Sequence, residues 1–290
     1  MNELDSVAAR YRSFAVTQAA DSSPSLHAWA LGVADDGEAL ARLGGLPVAK
    51  QQPNLVFAAA RVHGAVPGDV ASLVRCLRDD WAAVRETILA RSTQTNEAAR
   101  CAALVLGLER IEGPVALLEL GAAAGLCLIP DRYSYRFGAW PGLDPADGPS
   151  DVVIPLSFHG TPPARLPEVV WRRGVDLSPL DPGDPEDLAW LRSLVWPEHE
   201  PRRRRLEAAA ALAAREQVEV VRATCAMVWS GSSPTCPAQR RWSSPTRRPW
   251  PTWRRPTGGE WPSWLRQREP GGSASRAGAS TRWWRRCRPR

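Results

Sequence analysis

Apolar residues recur at helical spacing through the first third of the chain. Leu4, Val7, Tyr11 and Phe14 fall at i, i+3, i+7 and i+10 and make one stripe along a helix. Ser25 is placed to cap a second helix carrying Leu26, Trp29, Ala30 and Val33. Pro53 suits the first turn of a third, which runs into Asn54-Leu55-Val56-Phe57-Ala58-Ala59-Ala60. Two more helices are predicted near Val70–Ala90 and Asn96–Ile111, and Gly113-Pro114 stops the series. The pattern then changes. Val115–Leu120 is a short apolar run that ends in Gly121-Ala122-Ala123-Ala124-Gly125 and is followed by Leu126-Cys127-Leu128-Ile129, which predicts strand, glycine turn and helix. Strands are predicted at Tyr133–Phe137, Asp151–Ile154 and Val169–Val175, with Pro-rich loops between them. Helices at Asp184–Trp196 and Arg203–Glu216 lead to a further strand starting at Val218-Glu219-Val220-Val221. Helices followed by strand–helix alternation predict an α/β fold, with a helical cap region over 1–112 and a partial α/β domain over 113–221.

Charge divides the chain at about Arg222. Residues 1–221 hold 22 Lys+Arg against 29 Asp+Glu, and residues 222–290 hold 15 against 2. The overall +6 therefore describes only the tail, which also carries eight of the fourteen Trp. Leu and Ile nearly vanish from 222–290, and no stretch of it alternates or repeats like a strand or an amphipathic helix. A single Lys (Lys50) against 36 Arg points to a GC-rich gene. Back-translated with G or C in third positions and read from the third base of each codon, Arg222 to Pro237 permits GDLRDGLERLVADVP, which continues Val220-Val221-Arg222 as VVRGDLRDGLERLVADVP with apolar residues at helical spacing. Arg241 to Trp253 permits VV(F/V)xH(S/T)(A/S)xVAYV, the pattern of a buried strand. One lost base near Arg222 accounts for both, so the tail reads as out-of-frame translation with disorder as its expected state. The rival reading takes the tail at face value. Arg282-Trp283-Trp284-Arg285-Arg286 and similar segments would then bind nucleic acid, or polyanions without specificity, through phosphate charge and base stacking.

The acidic balance of 1–221 argues against nucleic acid as the partner of the folded part. Cys76, Cys101, Cys127, Cys225, Cys236 and Cys287 make no CxxC pair and no zinc spacing, so neither a disulfide framework nor a metal site is expected. Met1-Asn2-Glu3-Leu4-Asp5 has no basic n-region, and no apolar run reaches spanning length. A cytoplasmic protein without membrane contact is the expectation.

The best chemical lead is Glu119-Leu120-Gly121 through Gly125. Glycine lets a backbone turn approach a nucleotide closely, a following helix offers free N–H groups, and an acid at the strand end suits an amino group or a ribose hydroxyl. A purely structural turn fits the same pattern equally well. Asp176, after the apolar stretch Val169–Val175, stands where a neighbouring strand would grip ribose, although it lies far more than the usual ~20 residues beyond the turn. A helix-capping or turn aspartate is the other reading. Gln94-Thr95-Asn96-Glu97 either faces a cleft or caps a helix. Arg202-Arg203-Arg204-Arg205 reads as a solvated charge run. His27, His63, His159 and His199 are scattered, and no G-x-S-x-G elbow, Walker loop or HExxH occurs.

Several of these stretches together resemble a bacterial family, chiefly actinobacterial, known as domain of unknown function family 2332. They are Gln52–Ala59, Gln94–Leu104, Glu119–Leu126, Asp131-Arg132-Tyr133, Arg173–Leu177 and Leu194–Glu198, in the family's order. The family pattern continues with VVRGD and a later VVFH-like strand, both recovered by the alternate frame. Cys127 departs from an expected Asn, and Pro130 from an aliphatic residue. The glycine turn and strand order look like class I S-adenosylmethionine-dependent methyltransferases. By that likeness the sheet is Rossmann-like and S-adenosylmethionine is the cofactor, with Glu119, Gly121 and Gly125 on its methionine side and Asp176 at the ribose. The partner would be a methyl acceptor of unknown class. The sheet here would be incomplete and the product an inactive, truncated one. A non-catalytic α/β binding scaffold is the alternative.

Overall fold

The structure, a computed structural model, describes residues 3–157 and 160–224. Of the predicted tail, residues 225–290 lie outside the described residues, and the readings made of it there lie outside with them. Described residues fold as mixed α/β, helices first. Helix α1 (Glu3–Phe14) buries Val7, Tyr11 and Phe14 and continues through one π turn, Ala15–Ala19. Helix α2 (Pro24–Asp35) is capped by Ser23, whose hydroxyl accepts from the Leu26 N–H, and not by Ser25. The cause is Pro24, which has no N–H to lose and fits the first helical position, so the cap falls before it. Asp36 caps a short helix α3 (Gly37–Gly44) that the apolar pattern did not announce. Helix α4 (Pro53–Val62) starts at its proline as expected and is almost wholly buried. The single helix predicted over Val70–Ala90 is two, α5 (Val70–Asp79) and α6 (Trp81–Ala90), because Asp80 leaves the helical conformation at φ −105° and ψ 18°. Helix α7 (Cys101–Leu108) starts later than predicted, behind a 3-10 turn at Ala98–Arg100.

Phe57 organises the helical core. Trp29, Tyr11 and Phe14 meet it edge-on at centroid distances of 5.4, 5.7 and 6.0 Å. Such T-shaped contacts set the ring edge of one partner against the electron-rich face of the other.

Strands β1 (Val115–Leu120), β4 (Val169–Asp176) and β5 (Val220–Arg222) form a parallel sheet in the order β1-β4-β5. Between β1 and β4 the chain makes a separate parallel pair, β2 (Ser134–Arg136) with β3 (Val153–Pro155). Helices α8 (Pro185–Leu194) and α9 (Glu200–Arg215) connect β4 to β5, and the Asp184 carboxylate caps α8. The helices share one buried core with Tyr135 of β2, Ile154 of β3 and Ala124, Leu126 and Ile129 after β1. The Arg61 guanidinium on α4 donates to the carbonyls of Ser193 and Val195 at the end of α8. Glu198 accepts from the Ser23 hydroxyl and the Ser25 N–H at the head of α2. No helix among the described residues is long and apolar enough to cross a membrane.

The helix predicted after the glycine turn does not form. Leu126–Ile129 is irregular and leads into a 3-10 turn at Pro130–Arg132. Pro130 has no N–H to bond back to Leu126. Leu126, Leu128 and Ile129 are all buried, which leaves Cys127 alone of the four partly exposed, too little for the solvent face of a surface helix. Its carbonyls go to side chains instead: Tyr133 Oη donates to Leu126, Arg172 Nη1 to Leu128, and Tyr135 Oη to Pro130, at 2.6, 3.0 and 2.7 Å. Backbone groups satisfied in this way need no helical ladder.

Candidate functional site

Register decides what shares a face. Glu119 on β1 lies opposite Gly174 on β4, so Asp176, two residues on, shares the face of Glu119. Both acids sit at the carboxyl ends of adjacent parallel strands. The segment Gly121–Gly125 leaves β1 across this face, with φ of +79° at Gly121, +51° at Ala123 and +72° at Gly125. Glycine takes such angles without steric cost. Ala123 does not, at roughly 1 kcal/mol, so its neighbours must hold it. They do: the Ala123 N–H donates to Asp176 Oδ2 at 2.8 Å, and its carbonyl accepts from the Leu180 N–H at 3.1 Å. A Cβ on Gly125 would stand 2.6 Å from Val218 Cγ1, and one on Gly174 would stand 2.6 Å from the Ala122 Cβ. Both glycines are there for close approach of turn to sheet.

All four residues singled out in the sequence therefore meet at one place, but they differ in what they have free. Asp176 is engaged on both oxygens, since Oδ1 also accepts from the Ser178 N–H at 2.8 Å. The Gly121 and Ala122 N–H groups donate to the Val175 carbonyl, and Gly125 N–H to Ala122 O. Glu119 alone of the four has a carboxylate oxygen, Oε2, that is buried and makes no hydrogen bond. Burial pushes its carboxyl up to about 7; the nearby Asp176 adds to this, and Arg100 opposes it. Glu119 is thus poised between neutral and charged near neutral pH.

Of the roles left open for Gln94-Thr95-Asn96-Glu97, Glu97 takes the cap, while Gln94 and Asn96 bond the protein's own backbone. Asn96 Nδ2 donates to Ala122 O at 2.7 Å, and its Oδ1 accepts from Leu126 N–H at 3.1 Å. Gln94 Nε2 donates to Ser178 O at 2.7 Å. Asn96 and Gln94 thereby clasp the turn and the end of β4. Glu97 caps the 3-10 turn through the Ala99 N–H and takes Arg205 Nε at 2.8 Å; Arg202 Nε stands 2.7 Å away as an ion contact without hydrogen-bond geometry. Burial raises the Glu97 carboxyl, but the bonds from Arg205 and Ala99 outweigh it and hold the group below the usual range. The arginine run is accordingly not a solvated stripe: Arg203 also pairs with Glu200 and Glu207, and Arg204 alone of the four stands mostly in water. Arg172, which the sequence did not single out, lies on the same sheet face and forks onto Asp131 at 2.8 and 2.9 Å, tying the stretch after the turn to β4. An apolar strand interrupted by two arginines was the available signal.

Among the described residues no group of three or more His, Cys, Asp and Glu could hold a metal ion. The residues fit an S-adenosylmethionine-like ligand only in part. Glu119 matches a cationic amino group, whereas the turn N–H groups and Asp176 serve the protein's own backbone and no helix N-terminus follows the turn. No curated protein and no solved structure matches the chain. Residues 8–232 match the family described as "Uncharacterized protein conserved in bacteria (DUF2332)". With most of its length inside that match, the chain belongs to this uncharacterised bacterial family.

Proposed function

We propose that intact members of this family bind S-adenosylmethionine at the carboxyl ends of β1 and β4 and transfer its methyl group. The order β1-β4-β5, all parallel, is what one half of a doubly wound, Rossmann-like sheet requires, and ligands of such sheets bind outside the strand ends. The observation that carries the reading is Glu119, the acid on this face whose buried oxygen has no partner inside the protein. Glu119 holds the ligand's amino group. Gly121 and Gly125 keep the turn low enough for a ligand to reach it, and Asp176 positions the turn through Ala123 in place of contacting ribose itself. Methyl transfer from a sulfonium needs alignment of donor and nucleophile more than covalent help, so binding and orientation are the work left to the protein.

The frame break read near Arg222 removes the VVRGD acid and the strand that would follow it, which makes the chain as written an inactive product of such a gene. The engagement of the turn N–H groups favours a second reading, a scaffold that binds a ligand without chemistry. Methyl-labelled S-adenosylmethionine, mixed with cell extract and a frame-restored protein, separates the two. Label carried onto an extract component by the restored protein, and not by its Glu119→Gln variant, supports the transferase. Binding without any transfer leaves the scaffold.

A further inference from the structure

Residues 91–97 carry no helix or strand; they lead from the end of α6 to the 3-10 turn at Ala98–Arg100. Among the described residues, no backbone carbonyl accepts from the N–H groups of 92–97. Side chains hold the segment instead. Arg91 pairs with Asp187 on α8, and the Thr93 hydroxyl donates to Gln52 Oε1 at 3.2 Å. Gln94 reaches Ser178 beyond β4, Asn96 reaches the turn beyond β1, and Glu97 takes Arg205 and Arg202 from α9. The segment is thus a strap across the carboxyl ends of both strands. With no backbone ladder to spread order along it, each side-chain anchor fixes its own stretch.

Asn96 does the closest work on the site. Its two bonds go to Ala122 O and Leu126 N–H, one before and one after Ala123–Gly125. An amide side chain carries donor and acceptor on one plane, so a single residue closes both. Between them lies Ala123 at φ +51°, the residue of the turn that most needs holding. Asn96 has no backbone hydrogen bond of its own among the described residues, so its place depends on its neighbours. Glu97 is the anchored one. Its Oε1 accepts from the Ala99 N–H at 3.0 Å and from Arg205 Nε at 2.8 Å, and its Oε2 stands 2.7 Å from Arg202 Nε. The Glu97 and Arg205 side chains are 16% and 19% exposed, so salt screens this pair less than one on the surface.

We propose that Glu97 is a positioning residue: latched to Arg205 and Arg202, it fixes Asn96 on the glycine turn and so sets the shape of the face that carries Glu119. The latch makes α9, the helix before β5, a support of the turn after β1. Its bearing on a ligand rests on the reading of that face as the binding site.

The test is amide hydrogen exchange on the full chain without ligand, resolved over residues 121–126 and over α4. Glu97→Ala is expected to speed exchange in 121–126 at least about fivefold, the effect of one hydrogen bond lost locally, and to leave α4 unchanged. Asn96→Ala gives a rise in the same residues, and the two substitutions together give no more than Asn96→Ala alone, because Glu97 acts through Asn96. Glu97→Gln keeps an acceptor for Ala99 and Arg205 and loses the charge; it gives a smaller rise, and decides the matter alone should Glu97→Ala not fold. Exchange in 121–126 that stays at the parent rate in the Glu97 variants, rises equally in α4, or adds in full to the effect of Asn96→Ala overturns the proposal. Binding of S-adenosylmethionine to the frame-restored form is read separately. Failure of the restored parent to bind sinks the ligand reading and leaves the exchange result standing, whereas binding that Glu97→Ala does not weaken sinks the latch.

Discussion

At Glu119, burial works against ionisation, and this has a consequence for stability. Its folded carboxyl titrates near 7, above the ordinary 4.5. Between those values the folded chain holds more protons than the unfolded one, so stability falls as pH rises. The contribution is complete below the ordinary value and is lost on passing through about 7. Glu119→Gln keeps the shape without the charge. We expect the variant to match the parent in acid and to exceed it by about 2 kcal/mol at mildly alkaline pH, allowing for partial solvent exposure, with urea denaturation as the measurement. An unchanged pH slope would show that Glu119 is ionised at no cost. Glu119, Gly121, Gly125 and Asp176 were legible in the sequence because strand ends, glycine pairs and isolated acids leave local marks. What each one touches was not. Asp176 bonds Ala123 across a long insertion, and Asn96 reaches Ala122 and Leu126 from another part of the chain, so those partners exist only once the sheet is assembled.

At the scale of elements, helices α1, α2 and α4 and strands β1 to β5 follow the apolar pattern and the prolines closely. The failures have local causes. Asp80 broke one long periodic run in two. Leu126–Ile129 was too apolar for a surface helix and gave its carbonyls to Tyr133, Arg172 and Tyr135. What holds the turn against the sheet is contact, and glycine makes the contact possible. Gly174→Ala would set a Cβ 2.6 Å from the Ala122 Cβ and 2.9 Å from Val220 Cγ2. We expect a loss of about 1–3 kcal/mol from forcing turn and strand apart. Gly107→Ala, in α7 with nothing within 4 Å of the added Cβ, should instead stabilise by up to about 1 kcal/mol. Urea midpoints that moved in the same direction for both would contradict this account of the turn.

At the scale of the molecule, the helical region has a buried core, and the described part of the sheet keeps an open edge. β1 pairs with β4 on one side, and none of the described residues pairs with its other edge. Leu118 and Leu120, which point to the face away from the turn, are 45% and 43% exposed. An open edge beside uncovered leucines invites association between chains. The frame break proposed near Arg222 would deprive the sheet of further strands, among them the apolar stretch that residues 241–253 permit in the alternate frame. Calorimetric titration of S-adenosylmethionine into three proteins tests the central claim most directly: the chain as written, its frame-restored form, and the restored form carrying Glu119→Gln. The account predicts saturable binding to the restored protein, at least about tenfold weaker binding to the Gln variant, and none to the chain as written. Equal tight binding to the chain as written and the restored form, or indifference to Glu119→Gln, would contradict it.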